Sequence, residues 1–530
     1  MGLFGKFSIV GMATLASRFL GFFREAIIAA VLGAGPVADA FYAAFRFPNL
    51  FRRLFAEGAF NSAFIPLFAK ELEGGGKQAA REFCEQVLSV LLCVLLGLSA
   101  LAMIFMPFLV DTIIAARFDP ASEKFEITTL LARIMFPYLT AMSLVAMLSG
   151  VLNSFRRYFI AAIAPTLLNI VVIGGLLIAL YSGMDSRQTG IMMAWSVTVS
   201  GVLQLCLLIY GVHREGFAVS LRAPALTKPV KRLLVLAIPA AITGGITQIN
   251  LLVGQNIASA QDGAIAIINY ADRLFQLPLG VVAVAITVVL LPELSRALKA
   301  DDLAEAAKLQ NKSLEFGLLL TIPAAVAFAI MPEALLALVF ERGAFTRQTT
   351  IEASAVLLHF GWGLPAATLI STFRPGFYAR EDMRTPMWFA AANVTTNIAV
   401  SLTLFPIIGI AGIAIATSIA QWLNAILLGA TLWWRGLFVP SGQTLRNLAL
   451  IIFANVVMAL VLWLAVQQFG STMLDGSLIT RIALIFGTII VCAGVYFSTV
   501  LATGAVDRDL LTRSLRRKPR SEASDKDNSD

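Results

Sequence analysis

Charge is what this chain has least of. Asp, Glu, Lys and Arg make up 14% of its 530 residues, against 58% hydrophobic, and the mean hydropathy is +0.83. Water-soluble globular chains carry about 25% charged residues, so that class is excluded. Histidine is nearly missing: His213 and His359 are the only two, too few for a metal cluster. His359 falls in an apolar stretch, where satisfaction by neighbouring helices is a plainer reading than a proton relay. The four cysteines, Cys84, Cys93, Cys206 and Cys492, sit in or beside apolar runs without paired spacing, which supports neither a disulfide framework nor a zinc site. No G-x-x-x-x-G-K-[ST] phosphate loop occurs, so ATP hydrolysis is not expected. Carboxylates are too scattered for an acid/base pair or a magnesium site, and the longest outer loop, 111–127, is too short for a catalytic domain. The expectation is a protein that is not an enzyme and needs no cofactor or metal.

Long apolar runs are what the chain does have. A membrane span needs about 20 mainly apolar residues. Fourteen candidates fit, at 8–33, 37–66, 84–110, 128–152, 159–182, 190–212, 233–257, 264–291, 314–339, 350–374, 387–408, 409–434, 445–468 and 480–503. The segment after Lys6 superficially resembles a signal peptide, but Arg18 and Arg24 interrupt its apolar core and no small-residue cleavage site follows, so it reads as a retained span. Lys and Arg accumulate in alternate loops: Lys70, Lys77 and Arg81; Arg156 and Arg157; Arg222 to Arg232; Arg296 to Lys312; Arg374 to Arg384; Arg435 and Arg446. The intervening loops are poorer, with 340–349 the exception. The basic set and both termini are therefore expected in the cytoplasm. The net charge of +8 is mostly this topology signal plus the tail LTRSLRRKPR, and no nucleic-acid partner is expected.

The chain repeats itself. LNSFRRYFIAAIAPTLLNI and GFYAREDMRTPMWFAAANV align at an offset of 224, which sets Arg156 against Arg380 and Asn169 against Asn393. FRFPNL (45–50) is echoed by FQLPLG (275–280). Six spans return a chain to its starting side, so spans 1–6 and 7–12 read as parallel repeats, a known transporter plan with the substrate between the halves. The expected fold is an all-α polytopic membrane protein of about 14 helices, in two pseudo-symmetric six-helix lobes plus two C-terminal helices. The lobes are expected at 1–220 and 221–440, spans 13 and 14 at 441–504, and a disordered cytoplasmic tail at 505–530.

Against this background five arginines, Arg18, Arg24, Arg46, Arg52 and Arg53, lie in the first two spans with Glu25, Asp39 and Glu57 nearby. A charge at bilayer depth costs about 2.5–3.5 kcal/mol even on the lenient insertion scale, so such residues face a watery cavity, pair with one another, or snorkel. Lysine is absent between Lys6 and Lys70; the planar guanidinium fork matches phosphate oxygens bidentately, though it also suits a buried pair. Arg18 and Arg24 stand about 120° apart on a helix, whereas Arg18 and Glu25 nearly coincide, so partial neutralisation of Arg18 by Glu25 is expected. Pro48 is expected to interrupt the second span and let Arg52 reach a cavity. In the second half Asp272-Arg273 is the one charged pair of the eighth span, and Arg273 would complete a cationic cavity lined from both halves. An anionic passenger follows. Asp39, Glu57 and Asp272 are the candidates for a coupled ion, should there be one.

The motifs SRFLGFFREAIIAAVLGAGPVADAF, FRFPNLFRRLFAEGAFNSAFIPLF, NYADRLFQLPLGVVAVAITVVLLPELSR and PGFYAREDMRTP resemble the MurJ (formerly MviN) family of lipid II flippases, within the multidrug/oligosaccharidyl-lipid/polysaccharide exporter superfamily. The resemblance implies a bacterial inner-membrane transporter moving undecaprenyl-pyrophosphate-linked peptidoglycan precursor from the cytoplasmic to the periplasmic leaflet by alternating access. It implies that Arg18, Arg24, Arg52 and Arg273 line the cavity and hold the pyrophosphate, that Ser17 and Asp39 are cavity-lining or functional, and that spans 13–14 form a groove for the polyprenyl tail. Asp39, Glu57 and Glu25 are the gating or ion-pairing candidates, with a plain helix N-terminal acid an equal reading of Asp39. Ala266 stands where the family often has Ser, so no polar contact is carried over to it. The partners implied are lipid II and membrane lipids, with the protein acting as a monomer and cell-wall synthesis proteins as associates to look for. The alternatives are a flippase for another polyprenyl-linked glycan and, with its arginine-rich rather than acidic cavity spans against it, a drug/cation antiporter of the same superfamily.

Overall fold

A computed structural model describes residues 3–51, 60–286 and 290–505; Arg52, Arg53, Glu57 and most of the expected tail lie outside these. Every regular element among the described residues is helical, so the protein is an all-α polytopic membrane protein. The principal helices are α1 (Leu3–Leu32), α2 (Pro36–Phe51), α3 (Phe60–Ile104), α4 (Glu123–Met135), α5 (Pro137–Ser154), α6 (Thr166–Tyr181), α7 (Ser186–Arg214), α8 (Lys228–Ala258) and α9 (Ala264–Ala285). They continue with α10 (Leu303–Ile330), α11 (Arg347–Tyr378), α12 (Arg384–Ile408), α13 (Ile410–Trp434), α14 (Gly442–Asp475) and α15 (Leu478–Thr503).

Ten helical segments among the described residues are long and apolar enough to cross a membrane. The other four of the fourteen expected spans coincide with α1, α2, α8 and α9, which carry the charges and amides that line the site. Two expectations are corrected. Pro48 does not end the helix: α2 runs through it to Phe51, and Pro278 lies inside α9 in the same way. The second and third spans are not separated by an open loop either. α3 passes through the polar stretch 70–82 and bends at Gly76, whose φ of 69° is in the left-handed region that glycine enters freely.

The helix starts follow local chemistry. The Ser122 hydroxyl accepts from the Phe125 N–H at 3.2 Å to cap α4, and Asp185 with Gln188 forms a reciprocal capping box on α7. Ser441 and Ser477 cap α14 and α15. Each satisfies an N–H that the first helical turn leaves without an intrahelical partner.

The chain forms two compact units: Met1–Leu277 with Leu335–Phe360 and Arg384–Asn424, and Pro278–Ala334 with Gly361–Met383 and Ala425–Asp530. In the first, α1 packs on α6, α2 on α4, α3 on α5, α5 and α6 on α7, and α8 on both α3 and α12. Interhelical bonds reach an asparagine on each of α6 and α12: Arg24 of α1 donates to Asn169 of α6, and Asn397 of α12 donates to Asn250 of α8 at 2.8 Å. The second-half partner is thus Asn397, one helical turn beyond the Asn393 that the sequence offset selects. In the second unit α14 packs on α10 and on α15. The Tyr496 hydroxyl donates to the Leu319 carbonyl at 2.8 Å, and Asn447 donates to Glu315 at 3.0 Å. α15 buries a single stripe, Ile485, Cys492, Tyr496 and Val500, while Ile479 and Ile490 are exposed at 80% and 68%. Apolar residues with no protein over them are what a lipid-facing helix presents.

Candidate substrate-binding site

All the residues described here belong to the first unit. Along α2, Asp39, Tyr42 and Arg46 fall at i, i+3 and i+7, one face of a helix. α9 presents Ala266, Asn269 and Arg273 with the same spacing. Residues of these two helices meet at three points: Asp39 accepts from the Ala266 N–H, the Tyr42 ring stands edge-on to Tyr270 with centroids 5.7 Å apart, and Arg46 donates to Asn269 Oδ1 at 3.0 Å.

Glu25 of α1 stands at the centre. Its carboxylate is 2% exposed and accepts from three side chains. Arg24 Nη2 is 2.5 Å from Oε1, Arg273 Nη2 is 2.9 Å from the same oxygen, and the Tyr42 hydroxyl donates to Oε2 at 2.6 Å. Arg24 also donates to Asn169 Oδ1 at 3.0 Å, and Asn169 donates to the Ser17 carbonyl at 2.9 Å. Ser17 therefore enters through its backbone, supporting the asparagine that aims Arg24. Glu25 pairs with Arg24 and Arg273 rather than with Arg18, which is exposed on α1. The reason is tertiary: α9 supplies a guanidinium across the cavity, a competitor invisible in the helical angles of α1.

Arg24, Glu25, Arg46, Asn269, Asp272 and Arg273 are among the residues lining a cavity of about 250 Å³. Arg24 Nε and Arg273 Nε are buried without a hydrogen-bond partner, so each guanidinium keeps a donor beyond those used on Glu25. The charged lining, three arginines against Glu25 and Asp272, is cationic by one. A second, more open cavity of about 380 Å³ between the starts of α3 and α8, lined by Lys70 and Arg232 over Pro66 and Leu236, holds none of these residues.

Asp39 belongs to a separate cluster at the other end of the α2 and α9 stripes. Fully buried, it accepts from Lys124 Nζ at 2.7 Å, from the Gly263 N–H at 2.7 Å and from the Ala266 N–H at 2.9 Å. Ala266, without a polar side chain, thus contributes through its peptide. Beside this cluster, backbones press together. Tyr270 donates to the Gly33 carbonyl at 2.7 Å and the Ala344 N–H to the Ala30 carbonyl at 2.8 Å. A Cβ at Gly263 or Gly343 would lie 2.6 Å from the Ala34 carbonyl oxygen or 2.2 Å from that of Ala30. Both glycines also have positive φ, so both need glycine on two grounds.

Sequence reasoning singles out Arg24, Arg273, Glu25 and Asp39, but not Tyr42, Asn169 as a site residue, Asn269 or Lys124. The i, i+3, i+7 spacing on α2 is the available signal for Tyr42. Arg52 and Glu57 lie outside the described residues.

Residues 28–484 match the family described as "Lipid II flippase MurJ". The chain belongs to the MurJ family. It is 49% identical over 526 residues to a protein of Rhizobium tropici named "Probable lipid II flippase MurJ", covering 99% of each chain. To "Lipid II flippase MurJ" of Burkholderia cenocepacia it is 34% identical, covering 95% of this chain and 98% of that one. Among solved structures, "Lipid II flippase MurJ, inward closed conformation" superposes with a TM-score of 0.78 at 25% identity, covering 96% of this chain and 99% of that one. An inward-facing multidrug resistance MATE transporter aligns with a TM-score of 0.66 at 16% identity, covering 80% and 98%, a likeness of fold alone. Membership of the MurJ family makes the chain a transporter rather than an enzyme.

Proposed function

We propose that the chain exports lipid II, the polyprenyl-diphosphate-linked peptidoglycan precursor, across the bacterial inner membrane by alternating access. The diphosphate is held by Arg24 and Arg273 beside Arg46. One observation carries this reading. A single buried carboxylate, Glu25, holds guanidiniums from both halves of the chain, Arg24 at 2.5 Å and Arg273 at 2.9 Å, while each retains a buried Nε–H without a partner. Guanidiniums so gathered present to an arriving diphosphate the bidentate donors that phosphate oxygens take. The headgroup binds between the lobes at 1–220 and 221–440, and the lobes rock about it. The polyprenyl chain stays in lipid along spans 13–14 of segment 441–504. Arg18 and Arg52 are assigned to the same cationic path on the family resemblance, with Ser17 positioning Arg24 through Asn169. The alternate basic loops place both termini, including the tail 505–530, in the cytoplasm, and the protein acts as a monomer.

The test is complementation of a bacterium depleted of its own lipid II flippase. It compares wild type with Arg18→Ala, Arg24→Ala, Arg52→Ala and Arg273→Ala, reading lipid II in the outer leaflet at matched protein levels. Wild type restores exposure, while Arg24→Ala and Arg273→Ala lower it at least tenfold, about 1.4 kcal/mol of lost binding. Exposure of a different polyprenyl-linked glycan in place of lipid II would move the substrate assignment, and full rescue by every arginine variant would make the arginines structural.

A further inference from the structure

Lys124 is a nearly enclosed ammonium, its side chain 9% exposed, with no part in the binding cavity. It stands in the first turn of α4, at the end of a loop that the basic-residue count assigns to the outer side together with the α1–α2 turn and the turn before α9. Its Nζ lies 2.7 Å from Asp39, 2.9 Å from Asp262 and 4.3 Å from the centre of the Phe118 ring. Asp39 and Lys124 both belong to the first half of the chain. Asp262, Gly263 and Ala266 belong to the second.

We infer that Lys124 is a positioning residue of the outer gate, holding the Asp39 carboxylate against the peptide N–H groups at the start of α9 while clasping Asp262 across the two halves. This rests on the flippase reading for the gate's purpose, though not for its existence. When the halves part on the outer side, the Asp39–Lys124 pair travels intact with the first half. Only the contacts to Asp262 and to the two N–H groups are broken and remade. Such a pair spares the cycle the cost of exposing or burying a lone charge, since an ion pair that loses one partner inside protein is strongly destabilising. Asp262 suits the detachable role because its side chain is 88% exposed and hydrates at once on release. Without the Lys124 charge, the closed state buries Asp39 against two peptide N–H groups with no counter-charge, and the gate shifts toward open.

The experiment uses the full chain in cells, with the four native cysteines replaced by alanine and one reporter, Leu251→Cys, on the cavity wall. A membrane-impermeant maleimide is added from outside and the labelling rate is read. Lys124→Gln is expected to label about tenfold faster and Lys124→Arg within about twofold of the parent, the charge being what matters. Asp262→Asn, which leaves the buried pair whole, is expected to label about threefold faster, and Lys124→Gln with Asp39→Asn more slowly than Lys124→Gln alone, the coupling expected of residues in contact. Parental labelling in Lys124→Gln at parental abundance overturns the proposal, as does parental labelling in Asp262→Asn. If Lys124→Gln does not accumulate, Asp262→Asn and Lys124→Arg decide. Labelling requires no lipid II: a chain that exports none yet shows this pattern keeps the gate and loses the substrate, and export with flat labelling does the reverse.

Discussion

At Glu25 two guanidiniums and a phenol converge on a carboxylate that is 2% exposed. The apolar setting makes each of these hydrogen bonds matter, because a buried partner left unsatisfied costs about 1–3 kcal/mol, more for a charged group. Tyr42→Phe removes one donor to Glu25 and is expected to lower unfolding stability by about 1 kcal/mol, measured by thermal unfolding in detergent. Glu25→Gln leaves Arg24 and Arg273 facing each other without a shared counter-charge. The purified variant should melt below wild type and gain more from added inorganic pyrophosphate than wild type does, since the anion restores what the carboxylate supplied. An equal gain in both proteins would place the pyrophosphate elsewhere. Arg24 and Arg273 were legible because charge inside an apolar span is costly. Tyr42 and Asn169 were not, because such residues are ordinary in membrane helices until their partners are known.

α2 and α9 meet through Asp39–Ala266, Tyr42–Tyr270 and Arg46–Asn269, and each carries a proline, Pro48 or Pro278, within the helix. Sequence rules read Pro48 as a break, yet neighbouring helices can re-satisfy freed backbone groups in a membrane protein, so the helix survives there. The turns holding Gly263 and Gly343 are tighter constraints: with φ of 77° and 60°, both approach a carbonyl oxygen of the α1 C-terminal region. Gly343→Val should cost about 1–3 kcal/mol in backbone strain alone, with the clash against Ala30 added. It is expected to raise outside labelling of a cavity cysteine, whereas Gly11→Val, with nothing near its Cβ, should not. Asn397→Leu breaks the bond to Asn250 that matches Arg24–Asn169, and should cost about 0.6 kcal/mol, typical of an interhelical side-chain bond in a membrane, read by thermal unfolding.

For the whole molecule, the energetics of export follow from the passenger's charge. Moving one charge through 100 mV is worth about 2.3 kcal/mol. With a negative interior, a multiply anionic headgroup moves outward downhill without a coupled ion. Collapsing the potential with valinomycin and high external potassium is expected to lower lipid II exposure severalfold within minutes, while collapsing only the pH gradient leaves it unchanged. Dependence on the pH gradient alone would instead assign a coupled proton. Among the described residues no group of His, Cys, Asp and Glu is placed to hold a metal ion, and Asp39, one of the carboxylates considered for ion coupling, already has Lys124 and two peptide N–H groups as partners.

Composition and hydrophobic run length determined the class of protein, because a chain this apolar satisfies its backbone in lipid only as helices or a closed barrel, and its runs have helical length. The arginines in the first two spans pointed to an anionic passenger, because isolated charge at that depth requires a function or a partner. Which partner was beyond one-dimensional reasoning. On α1 alone Glu25 lies over Arg18. Only the packing of α1 against α2, α6 and α9 gives it Arg24, Arg273 and Tyr42 instead. The same holds for Lys124, one more basic residue in an acidic loop until folding buries it between Asp39 and Asp262. Burial energies act locally along a helix and can be read from its residues, whereas the choice among counter-charges depends on distances that only the tertiary structure brings below 3 Å.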